Sequence, residues 1–261
     1  MRALGIASTG MLAQQLNIEV ISNNLANLST TAYKRQRPEF QDLLYQNEQR
    51  VGSTSNEAGT IVPTGIQLGL GVKTGGVYRI LEQGNLQETQ NDTDVAIQGR
   101  GYFQVELPNG ELGYTRAGAF QMNQDGELVT LDGNIISPGI TIPENATKVS
   151  ISTTGVVEAF LDGQVDPQNV GQIELTNFVN ENGLEAIGNN LFKESPASGT
   201  PLTAFPGDIG YGTLKQGFVE SSNVDSVREI TNLIVAQRSY EMNSKVISTA
   251  DEMLRTVSDL R

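Results

Sequence analysis

The stretch SSNVDSVREITNLIVAQRSYEMNSKVISTADEMLRTVSDLR, residues 221–261, decides how this chain is read. Within it Leu233, Ala236, Tyr240, Ile247, Ala250, Leu254 and Val257 recur at alternating three- and four-residue steps, interrupted only by Asn243. Ile230, Val246, Met253 and Leu260 widen the stripe on one side. That spacing is the period of an amphipathic helix whose seam packs in coiled-coil fashion. No Gly or Pro falls between Val224 and Arg261, so nothing breaks it. At ~1.5 Å per residue the helix reaches roughly 55 Å. Ser222 or Asn223 is expected to cap it, and Ser226-Val227-Arg228-Glu229 fits a Ser-x-x-Glu capping box. A helix cannot bury its own stripe, so something must cover this one.

The N-terminus supplies a partner. Leu4, Met11, Ile18 and Leu25 recur every seven residues, and Ala7, Gln14, Ile21 and Leu28 sit three beyond each. Residues 3–28 therefore read as a second amphipathic helix, and the two ends are expected to pair. Gln14 and Asn243 each place one polar group on a seam, either to set register or at an edge facing solvent. The expected assembly interface is Leu4, Met11, Ile18, Ile21 and Leu25 with Leu233, Ala236, Tyr240, Asn243, Ile247, Ala250, Leu254 and Val257.

Between the ends the pattern changes. The polar run Asn23–Thr31 closes the first helix. Residues 31–75 read as an extended arm or linker. Tyr33, Phe40, Leu43, Leu44 and Tyr45 in 33–48 form a short apolar group, helical or extended, and 49–76 are rich in Gly, Ser, Thr, Asn and Glu. Ile66, Leu68, Leu70 and Val72 alternate with Gln67, Gly69 and Gly71 in a strand-like pattern. From Gly76 the signal is β. Val77–Leu81, Val95–Gln98, Tyr102–Leu107, Leu128–Leu131, Ile135-Ile136, Val149–Ile151, Val156–Phe160 and Ile173–Leu175 are short strand candidates. Asn109-Gly110, Asp125-Gly126, Asp132-Gly133, Asp162-Gly163 and Asn182-Gly183 are expected to turn hairpins between them. The expected fold class is α+β, with paired N- and C-terminal helices and a central, mainly antiparallel β domain. The expected division is 1–30 with 222–261, 31–75, and 76–221.

Composition narrows the chemistry. The chain has 261 residues, 17 basic against 30 acidic, and neither His nor Cys. It therefore has no disulfide, thiolate nucleophile, imidazole base or Ser-His-Asp triad, and it lacks the usual zinc and copper ligands. A net charge of −13 repels nucleic acid. The short cluster Lys34-Arg35-Gln36-Arg37 reads as a solvated loop or a local ion-pair partner. No apolar run is long enough to span a membrane. The first residues interleave apolar with polar side chains, unlike a cleaved secretory leader.

Asn91-Asp92-Thr93-Asp94 begins like a calcium loop, but Ile97 stands where that loop needs Gly and Phe103 where it needs Glu. A turn is expected there, and another at Asn123–Glu127. Gly69-Leu70-Gly71 and Gly99-Arg100-Gly101 lack the third Gly of a dinucleotide fingerprint. No enzyme, cofactor or metal site is expected.

Long motifs resemble one family. Gly10–Gln15, then Ile21-Ser22-Asn23-Asn24-Leu25-Ala26-Asn27 and Thr30-Thr31-Ala32-Tyr33-Lys34-Arg35, are similar to the N-terminal signature of the bacterial flagellar rod and hook family, which often has Gly-Phe where Ala32-Tyr33 stands. Glu220–Asp225 and Asn232–Lys245 resemble its C-terminal signature. Gln83–Leu86, Ile97–Phe103 and Tyr114–Phe120 resemble its central β domain. Chain length and the Gln36–Tyr45 stretch point to a subunit of the distal rod, with a proximal rod or hook-type subunit as the alternative.

The resemblance implies a non-enzymatic structural subunit that polymerises head to tail into a hollow helical shaft and carries torque from motor to hook. It implies self-association, other rod proteins below and hook protein above, ring proteins around the shaft, and export by the flagellar type III apparatus without a cleaved signal peptide. The expected location is the basal body, in the rod that spans the periplasm, with no nucleic acid bound and no membrane insertion. The helices are expected to line the tube, and an arm from Gln46 to Gly65 to stiffen it.

Overall fold

A computed structural model describes residues 2–49, 64–163 and 166–259, with Gln49, Val257 and Asp259 described by backbone alone. The chain forms two units, one built from Met1–Ala26, Gln36–Arg79 and Asp225–Arg261, the other from Asn27–Arg35 and Ile80–Val224. Helix α1 (Arg2–Ala26) and helix α2 (Ser226–Asp259) belong to the first, and nearly all of the second is strand and turn. The fold class is α+β.

In the helical unit α1 and α2 lie side by side and antiparallel. Asn24 meets Glu229 at one end, and Gly10 lies against Asn243 farther along. The last helix starts as its lack of breakers dictates, but its cap differs from expectation. The Asp225 carboxylate accepts from the backbone N–H of Val227 at 3.0 Å and of Arg228 at 3.3 Å, satisfying donors the helix leaves open. Asp225, not Ser222 or Asn223, is the N-cap. Asn223 serves the β unit instead, accepting from the Arg35 N–H and donating to the carbonyls of Ile80 and Glu82.

The first part of the arm is a ribbon. Strands β1 (Gln36–Asp42) and β2 (Tyr45–Gln49) run outward, and β3 (Ile66–Gly69) and β4 (Val72–Arg79) return. β1 pairs with β4 and β2 with β3, both antiparallel. The Leu43 N–H to Gly71 carbonyl bond carries the ladder across the break. The base of the ribbon, β1 and β4, packs on α1.

The β unit contains β5 (Leu86–Glu88), β6 (Val95–Gln98), β7 (Tyr102–Glu106), β8 (Leu112–Thr115), β9 (Gln121–Met122), β10 (Leu128–Val129), β11 (Ile135–Ile136), β12 (Ala146–Ile151), β13 (Val156–Leu161), β14 (Gln168–Gln172), β15 (Leu175–Asn177), β16 (Glu185–Gly188), β17 (Leu191–Lys193), β18 (Leu202–Ala204), β19 (Thr213–Gln216) and β20 (Phe218–Glu220). Its largest sheet runs β16-β17-β8-β7-β11-β10-β9, with β15 joining β7 and β18. β12-β13-β14 make a second sheet, and β19 pairs with β6 and β20 with β5. Every strand pair among the described residues is antiparallel.

Gly110, Gly126, Gly133 and Gly163 turn their hairpins at φ near +80° as their Asx-Gly dipeptides predict. Asn182-Gly183 does not, because it lies in a short 3₁₀ turn at Glu181–Gly183. The expected strand at Ile173–Leu175 is two strands, β14 ending before it and β15 starting at its last residue. The core of this unit is Val95, Ile97, Phe103, Phe120, Leu128 and Ile136 with their neighbours, all essentially buried.

Candidate assembly surface

The pairing of α1 and α2 sorts their apolar residues. On α2, Ala236 and Ala250 are buried, Leu233, Asn243 and Ile247 are half-buried, and Tyr240 and Leu254 lie at the margin. The side chain of Val257 and all of Leu260 lie outside the described residues. On α1, Ile21 is buried and Leu4, Met11, Ile18 and Leu25 are half-buried. The most buried line of α1 also includes Ala7, Ala13, Val20 and Asn24. Of these four, only Ala7 stands on the heptad read from sequence, and α1 packs against β1 and β4 as well as α2.

Two polar residues sit within this pairing, and one of them bonds across it. Asn24 is 1% exposed. It donates to the Gln36 carbonyl at 2.9 Å and to Glu229 Oε2 at 3.2 Å, and it accepts from the Gln36 N–H at 2.9 Å. The end of α1, the start of β1 and the first turn of α2 are thus joined through one side chain. Asn243 lies against Gly10, where a Cβ would stand 2.9 Å from its amide nitrogen. Gln14 accepts a long bond from Asn17 within its own helix.

The pairing leaves much apolar surface uncovered. Val235, Met242, Val246 and Met253 recur at helical spacing on α2 and are each roughly half exposed, Met242 at 59%. Val227, Ile230 and Ile234 are exposed on its N-terminal half, as is Leu12 on α1. The ribbon exposes Leu44, Tyr45, Ile66, Leu68 and Leu70. Scattered exposed apolar residues are ordinary, whereas stripes at helical or strand spacing mark interaction surfaces. A two-stranded ribbon is marginal by itself and gains from a surface laid against it.

The β unit carries a buried ionic cluster that the sequence hid. Glu220, 1% exposed, accepts from Lys34 Nζ at 2.5 Å and from Arg116 Nε at 2.6 Å. Lys34 also donates to the Glu82 carbonyl, Arg116 to the carbonyls of Gly99 and Gly101, and the Gly84 N–H to Glu220. Burial, and next the Arg116 guanidinium, push the Lys34 ammonium below the ordinary lysine range against the pull of Glu220. So Lys34 is no solvated loop residue, although Arg37, in the same cluster, does pair locally with Glu39 at 2.6 Å. Each nitrogen of the Lys34 and Arg116 side chains reaches an oxygen, so the cluster ties segments together.

Asn91–Asp94 forms the expected turn, with the Asn91 carboxamide accepting from Thr93 and donating to Asp94. Asn123 closes the turn between β9 and β10 by accepting from the N–H groups of Asp125 and Glu127. Among the described residues no group of acidic side chains is arranged to hold a metal ion, and no helix is long and apolar enough to cross a membrane.

Comparison with known proteins agrees with this layout. A family described as "Flagella basal body rod protein" matches residues 4–34, "Flagellar hook protein FlgE/F/G D1 domain" matches 96–159, and "Flagellar basal body rod FlgEFG protein C-terminal" matches 215–260. The chain is 60% identical to the flagellar basal-body rod protein FlgG of Caulobacter vibrioides, over 100% of both chains. It is 54% identical to FlgG of Agrobacterium fabrum, over 99% of this chain and 98% of that one. It is 40% identical to FlgG of Bacillus subtilis, over 100% and 99%. With matched termini, a matched β unit and full-length identity, the chain belongs to the flagellar basal-body rod protein family.

Proposed function

We propose that this chain is the structural subunit of the distal rod and polymerises head to tail into the hollow shaft that transmits torque from motor to hook. It is a structural part of the basal body and not an enzyme. The observation that carries the polymer is the stripe Val235, Met242, Val246 and Met253, which stays exposed after α1 and α2 have paired. A neighbour's helices covering that stripe would extend the pair into a coiled-coil-like wall. A contact between two different faces of one body does not close, so it repeats as a helix. No catalytic step is needed, since packing contacts carry the load.

In this reading residues 1–30 with 222–261 make the inner wall, 76–221 the outer body and 31–75 the arm. The seam Leu4, Met11, Ile18, Ile21, Leu25, Leu233, Ala236, Tyr240, Asn243, Ile247, Ala250, Leu254 and Val257 gathers the helices. The arm from Gln46 to Gly65 touches neighbouring subunits and stiffens the shaft; 50–63, most of it, lies outside the described residues. Other rod components adjoin below, hook protein above and ring proteins around. The chain reaches the periplasm through the flagellar type III apparatus.

The test is Met242→Asp with Val246→Asp. Both side chains are exposed, so the monomer keeps its helical content and melting behaviour, while carboxylates in the interface stop tube formation seen by electron microscopy. Tubes of normal symmetry from that variant would overturn the reading.

A further inference from the structure

The loop Phe205–Gly212 of the β unit presents Ile209 fully exposed, and the loop is pinned beneath it. Asp208 accepts from the Phe205 N–H, the Tyr211 N–H bonds the Asp208 carbonyl, and the Tyr211 hydroxyl donates to the Leu202 carbonyl. Asn177 donates to the Gly210 carbonyl at 2.8 Å, and the Gly212 N–H bonds the Arg100 carbonyl at 2.7 Å. Seven residues of turn are thus ordered to hold one isoleucine in water. An apolar side chain displayed on a rigid support has already lost the freedom that binding would otherwise cost.

A matching hollow lies elsewhere on the same unit. A cleft of about 410 Å³ is lined by Met122, Ile142, Pro143 and Ala146 on its apolar side. Lys148 also lines it, is exposed and forms no ion pair among the described residues, and Asp92 and Glu144 line the same cleft. Ile209 suits the apolar side, and the Asp208 carboxylate beside it suits Lys148.

The two features sit at opposite ends of one hairpin. Gly155, in the turn joining β12 to β13, abuts Pro206 of the loop. Ala146, at the far end of β12, lines the cleft. β19 runs between the same ends, with Leu214 bonded to Thr153, and Gln216 to Val149 and Asp92. The length of β12 separates the ends by about 17 Å at ~3.4 Å per residue. A knob at one end and a hollow at the other cannot meet within one chain, and can meet between chains stacked in the same sense.

We propose that the Phe205–Gly212 loop of one copy seats Ile209 in the Met122–Lys148 cleft of the next, a heterologous contact between β units in the polymer. The inference rests on the polymer reading above and assigns it an outer contact separate from the helices.

Because the chain has no cysteine, Ile209→Cys with Met122→Cys is a clean probe. Bridging requires Cα atoms within about 7 Å. Oxidation of assembled tubes should give a ladder of covalent oligomers, which neither single variant gives. Ile209→Asp should raise the critical concentration for assembly about tenfold without changing the melting of the monomer. Lys148→Glu and Asp208→Lys should each weaken assembly, and together restore part of it. Tubes that form without a ladder, with Ile209→Asp assembling as the parent does, would overturn this contact and leave the helix-based polymer standing. A parent chain that forms no tubes, from purified protein or in a flagellated bacterium whose own rod protein it replaces, would overturn both.

Discussion

Asn24, near the end of α1, donates to Glu229, in the first turn of α2, at 3.2 Å, and both side chains are essentially excluded from water. The two residues stand 205 positions apart in sequence. Asn24 also exchanges two hydrogen bonds with the backbone of Gln36, acting there much as a strand residue would. One carboxamide therefore joins the first helix, the ribbon and the last helix.

Asn24→Leu should destabilise the helical unit by about 3 kcal/mol, because it removes three bonds and strips one partner from a buried carboxylate. Urea unfolding read by circular dichroism checks this. A change below about 0.5 kcal/mol, the usual range for surface substitutions, would show that the three bonds contribute nothing.

The buried cluster predicts a pH dependence of unusual sign. Lys34 is held below its ordinary value of 10.5, so the folded chain binds its proton less well than the unfolded chain does. Stability rises with pH wherever the unfolded state binds more protons. The stability difference between the parent and Lys34→Met should therefore move in the parent's favour as pH rises toward the ordinary lysine value of 10.5. Movement the other way would mean that the bond to Glu220 outweighs burial and Arg116.

Glu220→Gln leaves Lys34 and Arg116 facing each other without their carboxylate. The expected loss is about 3–5 kcal/mol, the usual consequence of breaking one side of a buried ionic network. Thermal melting of the β unit would reveal it. Glu39→Gln, at an exposed pair screened by water, should leave the melting temperature essentially unchanged.

Gly71 has φ +122°, and a Cβ there would stand against Thr9 Oγ1, which accepts from the Val72 N–H at 3.3 Å. Gly71→Ala should cost about 2–3 kcal/mol through backbone strain and the clash together. Thr9→Ala in the same chain should relieve only the clash. Full recovery in the double variant would rule out the backbone contribution.

Ala32 is buried with φ +58°, in the left-handed region that disfavours a side chain. The family signature often has Gly at this position, and the conformation explains why. Ala32→Gly should leave stability unchanged or raise it by up to about 1 kcal/mol, whereas Ala→Gly in the middle of α2 should lower it by about 1 kcal/mol. Equal losses at both sites would disprove the strain at Ala32.

Much of the architecture is local and therefore legible. The seam of α2 follows from spacing alone, since residues three and four apart share a helix face wherever that helix lies. The Asx-Gly hairpins follow because those dipeptides accept positive φ without help from distant residues. Gly188-Asn189-Asn190, all at positive φ at the turn from β16 to β17, carry the same signal with the Gly ahead of the Asn and not after it.

Other features depend on partners far along the chain. Residue type did not distinguish Lys34 from its neighbour Arg37, yet one is buried on Glu220 and the other is exposed beside Glu39. The assignment of Asp225 as cap over two equally suitable neighbours came from Asn223 being engaged by Arg35, Ile80 and Glu82. The alternation of Ile66–Val72 is strand-like in sequence, but the ribbon's pairing is not legible there, because its ladder joins distant residues, from Gln49 with Ile66 to Gln36 with Arg79.

The sequence by itself determined two long helices, a hairpin-rich β body and, through its signatures, the family. These rest on periods and dipeptides whose physics is local. Tertiary structure alone decided which stripe of α2 is consumed by α1 and which stays exposed, because burial depends on what packs opposite. It also decided that a lysine and a glutamate 186 residues apart share a site without water, where desolvation sets the charge's behaviour.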